Sequence, residues 1–307
     1  MRFYKQNLMR NRFSTIIALG ALFSGASCSA AAPKFSGASA FEFTKKAVDF
    51  GPRPPGTDAN KRLQEFILAQ LRNDKCQIIE DAFTAQTPRG SIAMRNIIAL
   101  FPGQKTPGKT SKAIAITGHF DTKLYPGRHF VGASDGGSST GFLLEMARVL
   151  AGQPRTDDVY LVFFDGEESI REEWAGDDNL YGSRHIAERW RKDGTLARLK
   201  GLINIDMVGD KNLDLMEEMN GNSSLRKLVW DTAADFGYGS YFNHQQLGED
   251  DDHMPFVRMG APAIDLIDIA DYPYWHKDED TMDKLSAHSL EVVGLVVQEV
   301  IGRLEKQ

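Results

Sequence analysis

The sequence predicts an α/β protein: a single-domain α/β/α sandwich around a mixed, mostly parallel central sheet. Three observations carry this reading. Four short and strongly apolar runs, at residues 113–117, 159–164, 202–205 and 263–267, have the length and character of buried strands. Helical apolar spacing appears at 139–150, 182–190, 224–236 and 286–304. Strands that alternate with helices pair in parallel and are covered on both faces. The chain has 307 residues, 42% of them hydrophobic and 25% charged, which supplies apolar material for one large core. It contains no internal repeat and no low-complexity tract.

Taken in order, residues 1–12 are basic, 13–23 apolar and 24–32 mostly small. That pattern reads as an export signal, too short to anchor in a bilayer, and places the mature protein in the periplasm or outside the cell. Cys28 follows Gly25-Ala26-Ser27, which partly resembles a lipoprotein cleavage box with Gly where Leu is usual. Lipidation at Cys28 is therefore the one membrane attachment to weigh. Cleavage further on leaves Cys76 alone, so no internal disulfide is expected. Residues 33–40 read as a flexible lead into the domain at 33–307. Helical spacing over 41–50 stops at Gly-Pro-Arg-Pro-Pro-Gly, residues 51–56, and Thr57 caps a helix at 58–71. Strand patterns follow at 76–83 and 95–101, then an exposed loop at 102–112. The tail helix packs on the sheet and carries no interface signal, so a monomer is expected.

Charge narrows the partners. The formal net charge is −6, and the first thirty residues hold Arg2, Lys5, Arg10 and Arg12 with no acid, so the remainder carries −10. Such a chain is unsuited to nucleic acid or to an anionic membrane surface. Its field favours small cationic partners, of which a peptide α-ammonium is one.

Ligands of open α/β sheets bind beyond the carboxyl ends of the strands. The runs here end in chemistry: Gly118-His119-Phe120-Asp121, Asp165-Gly166-Glu167-Glu168, Asp206 and Tyr274-Trp275-His276, with Asp135 in the glycine-rich loop 131–137. Each alone has a bland explanation, because an adjacent Glu pair is usually solvated surface. Their joint position after buried strands does not. Clustered carboxylates repel unless a cation sits among them, and two His with several carboxylates suit zinc or a similar divalent ion.

The chain resembles the zinc-dependent clan of M28 aminopeptidases and glutaminyl cyclases (glutaminyl-peptide cyclotransferases). The resemblance rests on Gly-Pro-Arg-Pro-Pro-Gly at 51, Asn-Ile-Ile-Ala at 96, Gly-His-Phe-Asp-Thr-Lys at 118 and Val-Gly-Ala-Ser-Asp at 131. It continues through Phe-Phe-Asp-Gly-Glu-Glu at 163, Leu-Tyr-Gly-Ser-Arg-His at 180, Asp-Asp-His-Met-Pro-Phe at 251 and Trp-His at 275, in the same order. The aminopeptidase branch implies two zinc ions on His119, Asp135, Glu168, Asp206 and His276. The cyclase branch implies one, on Asp135, Glu168 and His276.

Four features resemble the cyclase branch: the long stretch after Glu168 with Trp174, the Asp251 motif, Trp275 directly before His276, and Gly136 where aminopeptidases carry an acid or Asn. The stretch 277–286 resembles the aminopeptidase ending equally well. The disulfide of animal cyclases is absent, its positions falling on Gly118 and Thr140. The resemblance implies that Glu167 is the proton carrier, that Asp206 and Asp251 bond around the amine and leaving group, and that Trp275 and Trp174 wall the pocket for a peptide N-terminal Gln. Alternatives are the two-metal aminopeptidase and an inactive peptide-binding module on the same fold.

Overall fold

The computed structural model describes residues 1, 33–104 and 110–307; the expected signal segment and Cys28 lie outside them. The elements run α1 (Gly37–Val48), α2 (Asp58–Leu71), β1 (Gln77–Thr87), β2 (Gly90–Phe101), β3 (Ala113–His119), α3 (Ser139–Leu150), β4 (Asp158–Phe164) and α4 (Tyr181–Asp193). They continue with β5 (Leu199–Asp206), β6 (Leu215–Glu218), α5 (Ser223–Asp235), β7 (Phe242–Leu247), α6 (Met254–Arg258), β8 (Ala263–Ile267) and α7 (Ala287–Glu305).

The central sheet has the order β1-β2-β4-β3-β5-β8. β1 and β2 form a hairpin and β2 runs antiparallel to β4. β4, β3, β5 and β8 are mutually parallel, so their carboxyl ends share one edge. The mixed, mostly parallel sheet expected from the sequence is what forms.

Strand side chains alternate between the two faces, and the core divides accordingly. Ile114, Ile116, Leu161, Phe163, Ile203 and Ile205 face one layer with residues of α1, α2, α3, α5 and α7. Ala113, Ala115, Tyr160, Val162, Phe164 and Leu202 face the other with Ile186, Ala187 and Trp190 of α4 and Phe256 of α6. Runs apolar at every position therefore belong in a sheet covered twice.

Two local readings change. Residues 33–40, expected as a flexible lead, are ordered: Ser36 caps α1, which begins at Gly37, and Phe35 is buried against Phe142 at 4.9 Å. Glycine and serine suggested slack, but here small size permits close packing. A side chain at Gly37 would strike the Ala287 carbonyl, and one at Gly294 the Phe35 ring. Burying such a ring contributes roughly 2 kcal/mol, and the Phe35 and Ser36 backbone N–H groups add hydrogen bonds to Gln298 and Glu145, both at 2.9 Å. The strands expected at 76–83 and 95–101 also extend toward each other into one long hairpin. β6 and β7 are short and partly polar, and α6 has only five residues, so none of them shows a clear apolar periodicity.

Candidate metal centre

Each parallel strand delivers its acid or histidine to the shared edge. β3 ends in His119 and leads to Asp121; β4 leads to Glu167 and Glu168; β5 ends in Asp206. Beyond β8 a loop brings Trp275 and His276 back over the sheet, and a wide turn before α3 supplies Asp135. Backbone strain concentrates here. Leu180, Met207 and His276 hold left-handed conformations at φ 50°, 51° and 56°, values that surrounding structure must enforce.

Two groups of donor atoms result, sharing Asp135. Donors of Asp135, Glu168 and His276 lie within 4.8 Å of one another, as do those of His119, Asp135 and Asp206. His276 Nε2 is 3.2 Å from Glu168 Oε1 and 3.5 Å from Asp135 Oδ2. His119 Nε2 is 3.1 Å from Asp206 Oδ1 and 3.3 Å from Asp135 Oδ1. A cavity of about 300 Å³ opens over Asp135, Glu167, Glu168, Asp206, Asp251 and His276, with Trp174 and Trp275 in its wall. His119 is buried behind that floor. The sequence-predicted residues therefore converge on one site.

Several supporting residues were given no positioning role from sequence. Asp121 accepts from the backbone N–H groups of Glu167 and Glu168 at 3.1 and 3.3 Å, which fixes the turn carrying both carboxylates. Asp280 does the same for Ser134 and Asp135 at 2.9 and 3.2 Å, and also accepts from Tyr272 Oη at 2.6 Å. The Asp135 loop is pinned from its other side by Arg53, fully buried, which donates to the carbonyls of Phe120, Val131 and Gly132. Ser139 and Thr140 donate to the Gly136 carbonyl at 3.1 and 2.6 Å. The loop is thus fixed by hydrogen bonds where the animal cyclases are expected to have a staple. Arg53 stands inside the quoted proline-rich motif, whose central cation was its available signal.

The loop between β4 and α4 is likewise tied down. Asp178 accepts from the backbone of Ile170 and Arg171 at 3.1 and 3.0 Å and from Tyr181 Oη at 2.6 Å. This presents Trp174, 41% exposed, to the cavity that Trp275, 45% exposed, also lines. Large aromatic surfaces left open at a pocket mouth favour contact with a ligand.

The electrostatics call for a cation. Burial pushes the Asp206 carboxyl up to about 7, with Asp251 and Asp135 adding to the rise and His119 opposing it. Burial also holds Glu167 well above the usual carboxylate range, opposed by His119 and reinforced by Glu168, Asp251 and Asp252. For the two histidines burial favours the neutral ring, yet the surrounding carboxylates win and raise both. Asp135 Oδ2 and Glu168 Oε2 are buried without a hydrogen-bond partner. Asp135 Oδ2 stands 3.5 Å from His276 Nε2 and Glu168 Oε2 3.7 Å from Lys123 Nζ; with the imidazole, these carboxylates form the donor set a divalent ion takes up, and its charge would relieve their repulsion. The residues fit zinc.

The sequence profile described as Peptidase family M28 matches residues 96–301, two thirds of the chain. The chain belongs to peptidase family M28. Among its relatives, a glutaminyl-peptide cyclotransferase of Drosophila melanogaster is 28% identical over 274 residues, covering 80% of this chain and 75% of that one. A glutaminyl cyclase structure from an Acidobacteriales bacterium superposes with TM-score 0.84 at 35% identity, covering 92% of this chain and 98% of the other. A structure titled a Zn-dependent exopeptidase, from Parabacteroides distasonis, superposes with TM-score 0.77 at 28% identity, covering 88% and 99%. Membership of M28 and these likenesses bear out the expected fold, with its mostly parallel sheet.

Proposed function

We propose that this chain is a glutaminyl-peptide cyclotransferase, closing the N-terminal Gln of a peptide to pyroglutamate with release of ammonia at a single zinc site. The observation that carries the reading is the cavity: two exposed tryptophans stand over a buried acidic floor whose orphaned oxygens belong to Asp135 and Glu168. The cyclase relatives support it.

Asp135, Glu168 and His276 would hold the ion. Bound there, zinc supplies Lewis acidity toward the side-chain amide carbonyl of Gln. The rest falls to the protein. Trp275 and Trp174 wall the chamber and confine the Gln side chain near its own α-nitrogen, which lowers the entropic cost of ring closure. Glu167 takes a proton from the α-amine as its nitrogen bonds to the side-chain carbonyl carbon. It returns that proton to the nitrogen leaving the same carbon, which departs as ammonia. A carboxylate raised by burial toward neutrality suits both transfers. Asp206 and Asp251 line the same floor and accept hydrogen bonds from the amine and the leaving group. Asp251 is itself set by the Asn204 amide at 2.9 Å.

The second donor group, His119 with Asp135 and Asp206, keeps a two-metal aminopeptidase as the alternative. A Gln-initiated dipeptide separates the readings by mass spectrometry. An intact peptide lighter by one ammonia supports the cyclase, whereas free Gln and a shortened product would replace it with the peptidase. One zinc per chain is expected from metal analysis.

Zinc should also stabilise the fold. At a free concentration 100 times its dissociation constant, a ligand adds about 2.7 kcal/mol to the native state. For a domain near this size, each kcal/mol moves the midpoint by roughly 2–4 °C. Removing the ion with a chelator is therefore expected to lower the melting temperature by about 5–10 °C. An unchanged midpoint would count against a metal bound at this position.

A further inference from the structure

His276 reaches the cavity floor from an irregular loop, well past the end of β8, with its backbone in the left-handed region at φ 56°. A residue other than glycine rarely holds that conformation unaided. The loop that opposes it, residues 125–130, is built to hold it. Arg128 Nη2 donates to the His276 carbonyl at 2.8 Å, and Arg128 Nε donates to Asp278 Oδ1 at 3.1 Å. The His129 backbone N–H donates to the other oxygen of Asp278 at 3.3 Å. The guanidinium lies 4.1 Å over the Tyr125 ring. Tyr125 and Phe130 in turn meet the His276 imidazole edge-on, at 5.9 and 5.8 Å between ring centres, while Trp275 stacks on it at 4.4 Å.

We propose that Arg128 is a positioning residue for the metal site: it latches loop 125–130 to the His276 carbonyl and the Asp278 carboxylate, and so fixes where the imidazole stands. The inference rests on His276 being a ligand, as read above. An exposed ion pair contributes little by charge alone, so the latch acts through geometry. One planar guanidinium serves a carbonyl, a carboxylate and an aromatic face together, which an ammonium cannot do. The aromatic rings carry the constraint to the imidazole itself. Arg128 itself does not line the cavity, meets it only through His276, and takes no part in proton transfer.

The test uses the full-length protein and reads the metal as well as turnover. Zinc affinity is measured by competition with a chromophoric chelator, and the visible spectrum is recorded after cobalt substitution. Arg128→Ala is expected to weaken zinc binding by roughly 10–100-fold, the usual effect of losing a group that orients a ligand, and to alter the cobalt bands. The melting temperature of the metal-free protein should stay near that of the wild type. Arg128→Lys should recover only part of the affinity. Asp278→Asn, which keeps Arg128 and weakens its other anchor, should shift affinity in the same direction and serves if Arg128→Ala folds poorly. Zinc bound equally by wild type, Arg128→Ala and Asp278→Asn, with unchanged cobalt spectra, overturns the latch. A wild-type protein that takes up no zinc overturns the metal reading beneath it, a distinguishable result.

Discussion

Glu167→Gln is expected to retain zinc and lose turnover by 10²–10⁴-fold, the usual contribution of a positioned proton carrier. Gln has nearly the same shape as Glu, and the Glu167 backbone N–H still donates to Asp121, so the turn carrying Glu168 should not move. The floor keeps Asp135, Glu168 and His276, and metal content should remain that of the wild type. Stability gives an independent reading. Burial holds the folded carboxyl of Glu167 above its ordinary range. The metal-free native state therefore keeps this proton to higher pH than the unfolded chain does. Its stability is greatest below the ordinary carboxylate value and falls as pH rises through the folded one. The Gln variant lacks that fall, so without metal it should melt no lower than wild type near neutrality. Activity within a fewfold of wild type would remove Glu167 from the mechanism.

The parts of this molecule that could be read from sequence are those whose physics is local. Runs such as 159–164, apolar at every position, declare a strand covered on both faces, and the acids that follow them declare the edge where ligands meet. His119, Glu167, Glu168 and Asp206 were visible on that ground, because each sits within four residues of a strand end. Asp135 and His276 depend on loops folding back; residue type made them candidates, and the family resemblance gave them the role of ligands. What stayed hidden is non-local. No periodicity reveals that Arg53 satisfies carbonyls near Val131, or that Asp280 accepts from the backbone of Asp135, 145 residues away. Segment 33–40 failed for the converse reason. Composition measures flexibility in an isolated chain, whereas the Gly37 backbone is held by how closely α7 approaches it.

Gly136→Asp is expected to cost on the order of 10²-fold in kcat/KM and about 1–3 kcal/mol in stability, through steric displacement of the ligand before it. Gly136 sits at φ 73°, and a Cβ there would lie 2.5 Å from the Asp121 carbonyl oxygen and 3.0 Å from the His119 ring. Neither neighbour can yield cheaply. The Asp121 carboxylate holds the Glu167 and Glu168 N–H groups, and His119 is wedged among carboxylates. Any relief must move Asp135, which both donor groups share. The acid or Asn that the peptidase branch is expected to carry at this position therefore does not fit the loop as this chain folds it. Gly237→Asp supplies the control: its φ is 78°, nothing lies within 4 Å of a Cβ there, and it stands at the end of α5. That variant should show the backbone strain in its melting temperature and leave kcat/KM untouched. If Gly136→Asp instead kept both zinc and activity, the loop would have to open without disturbing Asp121. The glycine would then say nothing about which chemistry the site performs.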